Sequence, residues 1–453
     1  MAAPRQRLAQ AGLVAVALLA GCGSSPAPPH ASTLRLALPL VPRQLDPARA
    51  PDLPSLNVAH ELYAGLTRFS GTGVVPDLAK SWDVQKGGLV WTFHLRNGLR
   101  WSDDRPITAQ DFRRSWLRAL APATKAPFAG PMLGIVKGAR GYHATGRGEV
   151  GVRALDDRTL RVTLQHPIPW LDQLVAHPIA ATYRRDAYSG PFRLAGRLVL
   201  ERNLSYWNVR AVKPAKLVFT TATEGADAVL PRGLAPPGVP WVQTAKPPTG
   251  PGWRKLPTLS VQLLWVVNRH LGLSDTRGLV PDAMPGSSEV ASEGPLGPLE
   301  LLPNQRRVHL AYARQDALAG EAIRRARRTI GFGVVVPRPY RTVSELVRSR
   351  GDFVLLGWSS KIFDPYNILD LFPCGSAFNV AHWCEPSYDA LMRRAVRTLD
   401  NHRRWAIERQ LVAKLGPAVA FDQPSEYVRI KPGVRGFSWS PIGFYELDGM
   451  TRS

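Results

Sequence analysis

Residues 89–120, LVWTFHLRNGLRWSDDRPITAQDFRRSWLRAL, constrain the fold of this 453-residue chain more than any other stretch. Leu89, Trp91, Phe93 and Leu95 alternate with Val90, Thr92, His94 and Arg96, so the segment predicts a strand with one apolar face. Asn97-Gly98 marks a tight turn, because both residues accept positive φ at little cost. Residues 102–106 give a second turn signal. Thr108 is placed to cap a helix, with Asp111 completing a capping box. Phe112, Trp116 and Leu120 recur at i, i+4 and i+8 and predict that helix's buried stripe.

Elsewhere the pattern alternates between strands and helices. Strands are expected at 34–40, 160–164, 308–311 and 353–358, and helices at 57–66, 388–399 and 403–415. Tyr388, Leu391, Met392 and Ala395 share one helical face. Residues 316–329 predict a basic amphipathic helix. Residues 259–268, LSVQLLWVVN, are almost continuously apolar, as expected of a buried strand at a lobe boundary. Two Pro- and Gly-rich stretches, 231–257 and 271–303, are irregular. Strand–helix alternation with two irregular crossings predicts two α/β lobes, and the length allows two to four domains.

The first residues carry a targeting pattern. Arg5 and Arg7 precede an apolar run at 13–20, and Leu19-Ala20-Gly21-Cys22 matches a lipobox, where the Cys thiol is acylated and the chain cut before it. An ordinary signal peptide that happens to hold a Cys is the alternative. The run is too short for a stable transmembrane helix. Acyl chains would anchor Cys22 stably, with residues 23–32 as a flexible tether. Cys374 and Cys384 then remain, and export permits a disulfide between them. A metal site is the rival, but His382 alone does not complete a zinc ligand set.

The formal net charge is +23, from 58 Lys and Arg against 35 Asp and Glu. Attraction to anionic headgroups or cell-wall polymers, steering of an acidic ligand, or the Arg bias of a GC-rich genome would each account for it. No nucleic-acid recognition motif is present. Neither GxxxxGK, HExxH nor GxSxG occurs, and the ten His are scattered, so no enzyme, metal or cofactor is expected. Asp103-Asp104 could pass for paired carboxylates, but they fall in a turn.

The string at 89–120 resembles the signature segment of the oligopeptide- and dipeptide-binding lipoproteins of ABC importers, the family 5 extracytoplasmic solute-binding proteins. That family has a "WTFHLR" strand, a "WSDG" turn and an "A-DF" helix in this order. Further landmarks keep the family's order: Leu62-Tyr63-Ala64-Gly65-Leu66, Pro76-Asp77-Leu78-Ala79, Gly190-Pro191-Phe192, Leu200-Glu201-Arg202-Asn203, Gly357-Trp358, Asp364-Pro365 and Lys431-Pro432. Asp104 stands where the family usually has Gly, and Asp tolerates the left-handed conformation better than most residues.

The resemblance implies a two-lobed α/β periplasmic-binding-protein-like fold (type II, large peptide-binding cluster), with a subdomain on the N-terminal lobe and a ligand cleft between lobes. It implies a signal peptide at 1–21, an acylated Cys and tether at 22–33, an N-terminal lobe at 34–258, a second lobe at 259–420 and a C-terminal return at 421–453. The function implied is capture of a peptide or peptide-like solute, hinge closure, and delivery to permease subunits served by cytoplasmic ATPases. Such a protein would be a monomer anchored outside the cell membrane, with no cofactor, no metal and no nucleic acid. A non-transport envelope lipoprotein that keeps the scaffold and acts through protein contacts is the alternative.

The resemblance also assigns ligand contacts to Trp358, Lys361, Asp364, Tyr63 and Leu66. In peptide-binding relatives an Asp three residues after the Trp holds the ligand's α-ammonium; here that position is Lys361. An ammonium facing an ammonium is unfavourable by several kcal/mol, so an anionic or N-blocked ligand is expected. A shifted loop would instead put Asp364 in that role, and Lys361 could point to solvent. Ala64 replaces a family acidic residue, and residues 421–426 replace an aromatic run. Residues 274–298 lack helical periodicity where the family has helices, so the second lobe is expected to be trimmed.

Overall fold

The signature strand runs Val90–Leu95 inside a four-stranded antiparallel sheet, between Ala79–Gln85 and Thr159–Thr163, with Val152–Asp156 outermost. Trp91, Phe93 and Leu95 are buried as expected, but so are Val90 and Thr92. The strand is internal, so neighbours on both sides cover its second face. Gly98 takes φ +68° in the turn that follows, and Asp104 takes φ +64° in the next. The helix spans Ala109–Leu120, where the Thr108 N–H donates to Asp111 Oδ2 at 2.8 Å. Phe112, Trp116 and Leu120 are fully buried, and Trp116 Nε1 donates to the Ala180 carbonyl at 2.7 Å.

The computed structural model describes residues 32–233, 240–241, 248–267, 279–290, 308–317, 319–321, 323–324, 335–349, 351–415 and 418–453. The lipobox with Cys22, the tether up to residue 31 and most of the helix expected at 316–329 lie outside the described residues. Of the irregular stretch at 271–303, the described part holds one helical turn, Ser287–Val290, with Leu279, Val280 and Met284 buried beside it.

A seven-stranded mixed sheet organises the first lobe. Thr33–Ala37 lies parallel to Lys216–Thr220 and to Ala228–Val229, and the C-terminal strand Glu426–Ile430 joins antiparallel to Ala228–Val229. Trp253–Leu256 forms its far edge against Glu426–Ile430. The nearby helix runs Leu53–Leu62 rather than 57–66, because the Asp52 side chain caps it from Ser55 N–H and Pro54 fits its first turn. Gly190 sits against that helix's end. A Cβ there would meet Glu61 O and Leu62 C at 2.7 Å, which explains Gly in the Gly190-Pro191-Phe192 landmark.

The second lobe is built on another sheet. Ser260–Val266 is buried at every residue, antiparallel to both Phe353–Ser359 and Ala418–Asp422. Val308–Ala313 lies parallel to Val335–Tyr340 and to Phe353–Ser359. The chain therefore crosses between sheets at 257–259 and again at 423–425. The return comes a few residues beyond the expected 420, because Ala418–Asp422 still pairs with Ser260–Val266. The result is a two-lobed α/β architecture in which the four-stranded sheet is the first lobe's subdomain. Among the described residues no helix is long and apolar enough to cross a membrane.

Candidate functional site

Strand Phe353–Ser359 is buried throughout, and at its end it delivers residues 360–365 toward the first lobe. Asn367 pins this loop from inside: its Oδ1 accepts from the Lys361 N–H at 2.9 Å, the Ser360 hydroxyl at 3.0 Å and Trp358 Nε1 at 3.4 Å. The Trp358 ring is buried, 4.8 Å from the Phe378 ring. Asp364 closes the loop through Arg404, which donates to Asp364 Oδ2 at 2.9 and 2.5 Å. Asp364 Oδ1 also accepts from the Tyr366 N–H at 3.0 Å.

The loop meets the first lobe over a continuous contact. The Lys361 carbonyl accepts from His177 Nε2 at 2.9 Å, and the Phe363 N–H donates to Gln173 Oε1 at 2.6 Å. Burial, ahead of any other cause, lowers the His177 pKa to about 4. The ring is therefore neutral at pH 7, and Nε2 carries the proton it donates. The Phe363 ring stands edge-on to Phe69 at 6.0 Å, and Phe69 stacks on Phe444 at 5.2 Å. Trp170 faces Tyr366 at 4.7 Å. A second-lobe phenylalanine thus occupies an aromatic seat in the first lobe.

The Lys361 ammonium reaches toward the subdomain, where it donates to the Pro131 carbonyl at 3.3 Å. It keeps some exposure, but surrounding protein lowers its pKa, with Asp370 opposing that shift and Arg140 adding to it. Asp370 is exposed, and neighbouring protein pushes its carboxyl up to about 6 against the pull of Lys361 and a hydrogen bond from Tyr366. Lys361, Asp370 and Arg140 are thus close enough for their charges to interact.

The other candidates lie elsewhere. Leu66 is inaccessible and Tyr63 is 5% exposed, its ring 5.3 and 5.6 Å from Tyr183 and Tyr188. Their segment supports the His177 stretch, since the Ala64 carbonyl accepts from the Thr182 N–H and Thr67 Oγ1 donates to the Asp172 carbonyl. Asp364 is 1% exposed and spent on Arg404. Of the five residues, Lys361 alone keeps a polar side-chain tip at the interlobe face. Sequence reasoning misses His177, Gln173 and Arg404, because no local motif marks a residue whose partner lies some 40 to 190 positions away; Asp370, beside Lys361 and Tyr366, carries no motif of its own. Cys374 and Cys384 form a disulfide that closes a short loop beyond the site.

A family model described as bacterial extracellular solute-binding proteins, family 5 middle, matches residues 73–231. That segment is similar to the middle part of the family 5 solute-binding proteins. Family likeness extends along the chain: the probable deoxycholate-binding periplasmic protein YgiS of Escherichia coli is 26% identical over 91% of this chain and 94% of its own length. The periplasmic oligopeptide-binding protein OppA of E. coli is 35% identical, but over 37% of this chain and 35% of its own length. Among solved structures, the unliganded open form of the murein tripeptide-binding protein MppA superposes with a TM-score of 0.74 at 19% identity, covering 94% of this chain and 98% of its own. Haemophilus influenzae OppA in complex with RPPGFSPFR gives 0.69 at 18% identity, covering 94% and 99%. Family 5 peptide-binding proteins thus share this fold.

Proposed function

We propose that this chain is a lipid-anchored solute-binding protein that captures a peptide-like or other small solute between its lobes and delivers it to an ABC import permease. Cys22 carries the anchor on the outer face of the membrane, and permease subunits with cytoplasmic ATPases are its partners. It works as a monomer by capture, lobe closure and release, with no covalent step.

The observation that carries the ligand class is the Lys361 ammonium at the interlobe face, reaching the Pro131 carbonyl, with Arg140 close enough to act on it. Two cations against the single carboxylate of Asp370 favour a ligand that brings negative charge. A free α-ammonium would add a third cation to an enclosed site. A blocked amine or a carboxylate would not. The relative YgiS, described as a probable deoxycholate-binding protein, is consistent with a carboxylate ligand, deoxycholate being a steroid carboxylate.

A second reading has its own support. The Phe363 ring fills an aromatic seat in the first lobe, so part of the interlobe face is occupied by the chain itself. A scaffold that no longer transports and acts through protein contacts would look the same at that point.

A thermal-shift screen of the chain from Gly23 onward separates these readings. Free-N-terminus peptides, N-acetylated peptides and carboxylate solutes are compared. A ligand at a hundred times its Kd adds about 2.7 kcal/mol, a readily measured shift. Shifts with blocked or anionic ligands are expected. A shift with free peptides alone would overturn the Lys361 argument, and no shift with any class would favour the non-transport scaffold.

A further inference from the structure

The turn after Glu426–Ile430 borders an open recess of about 340 Å³ in the first lobe, lined by none of the interlobe-loop residues. Its size falls at the lower end of the ~300–1,000 Å³ of small-ligand sites. Arg254, Lys431 and Arg435 supply its charge, and all three are exposed. None of them forms an ion pair among the described residues. Arg254 lies 5.9 Å over the Phe437 ring, and Lys431 Nζ donates to the Gly225 carbonyl at 2.8 Å, so two of the three cations are held in place. Asp227, on the neighbouring strand, is 1% exposed and is already used by Arg452 at 3.1 Å and the Arg35 N–H at 2.8 Å.

Strand register fixes where this recess sits. Leu36 pairs with Ala228, and Ala228 with Ile430, so Lys431 and the residues after it lie level with the start of Thr33–Ala37. Two strand spacings of about 4.8 Å separate them across the sheet. The chain thus enters its first strand beside the recess. A ten-residue connection from Cys22 to Ser32 cannot exceed about 35 Å when fully extended.

We propose that this basic recess docks the protein on anionic lipid, with Arg254, Lys431 and Arg435 taking the headgroup phosphate beside the point where the anchored chain enters the fold. The inference rests on the reading of Cys22 as the anchor. Docking would hold the first lobe to the membrane and leave the second lobe free to open and close.

Residues 32–453 form one compact unit, so the chain from Gly23, without acyl groups, is a fair test object. Its co-sedimentation with phosphatidylglycerol–phosphatidylcholine vesicles is compared with pure phosphatidylcholine. Each cation near an anionic surface contributes about fivefold, so Arg254→Gln, Lys431→Gln and Arg435→Gln together should lower vesicle affinity about a hundredfold. A control with Arg147→Gln, Arg153→Gln and Arg161→Gln, exposed on the subdomain side, should change it far less. If the triple variant fails to fold, Arg435→Gln alone should still cost about fivefold. Equal losses in both triple variants would reduce the effect to net charge and overturn the proposal. Stabilisation by inorganic phosphate without vesicle binding would mark a free-anion site and overturn the membrane assignment. The mass of the exported full chain, read in parallel, reports acylation of Cys22. An acylated chain whose soluble form ignores the vesicles would refute the docking proposal and leave the anchor standing.

Discussion

Glu408 tests how the candidate loop is held. It is fully buried, as nearly are Asp364 and Arg404, and Arg404 Nε stands 3.7 Å from Glu408 Oε1 while donating to Asp364. One guanidinium between two carboxylates cannot keep both ionised without water. Burial first, and the Asp364 charge second, therefore hold the Glu408 carboxyl far above the usual range. Neither Glu408 oxygen accepts a hydrogen bond from the protein. A protonated carboxyl donates instead, and Asp364 is its acceptor.

The pH dependence follows from that proton. The folded pKa lies above the unfolded value of 4.5, so the native state holds one more proton than the unfolded chain across the interval. The stability it gives is fully present below the unfolded value and is lost as pH rises toward the folded one, at about 1.4 kcal/mol per unit. By pH 7 the loss reaches about 3 kcal/mol. Glu408→Gln removes the titration and keeps an N–H donor for Asp364. In chemical denaturation the variant should match the native chain near pH 4.5 and exceed it at pH 7 by up to about 3 kcal/mol, the gap widening toward pH 8. A variant less stable at pH 7, by an amount independent of pH, would mean that Glu408 is ionised and completes a charge network, and would refute the reasoning.

Two further perturbations act on the same region. Phe363→Ala empties the aromatic seat against Phe69 and should cost about 3–5 kcal/mol; because the ring joins the lobes, small-angle scattering should also show a larger radius of gyration, and an unchanged radius would confine its role to local packing. Reducing the Cys374–Cys384 bridge releases a loop of ten-residue separation and should lower stability by about 2–3 kcal/mol on the chain-entropy account, read from the urea midpoint with and without reductant.

Local patterning made much of the fold legible. The strand, turn and capped helix of 89–120 formed where expected because each rests on near neighbours: alternation, a left-handed Gly98 and a Thr108–Asp111 box. The helix at Leu53–Leu62 begins four residues before the expected 57–66, because the Asp52 cap and Pro54 set its start. The candidate site was less legible. Asp364 reads as a free carboxylate in sequence, and its role follows from Arg404, 40 positions later on another helix. His177 gives no local sign that its ring will donate to a carbonyl 184 residues away. Contacts of that kind are set by how two sheets pack, which periodicity does not encode.

The departure at Lys361 can be weighed from its backbone. Its N–H is fixed by Asn367 and its carbonyl by His177. Neither bond involves the side chain, so the residue type can change without moving the loop. The flanking residues Trp358 and Asp364 do hold it: Trp358 through Asn367 and Phe378, Asp364 through Arg404. Fold and charge are thereby separable at this position. An acidic residue here would keep the loop as it is and reverse the charge presented at the interlobe face. On the proposed function, such a reversal would alter ligand class without disturbing the loop.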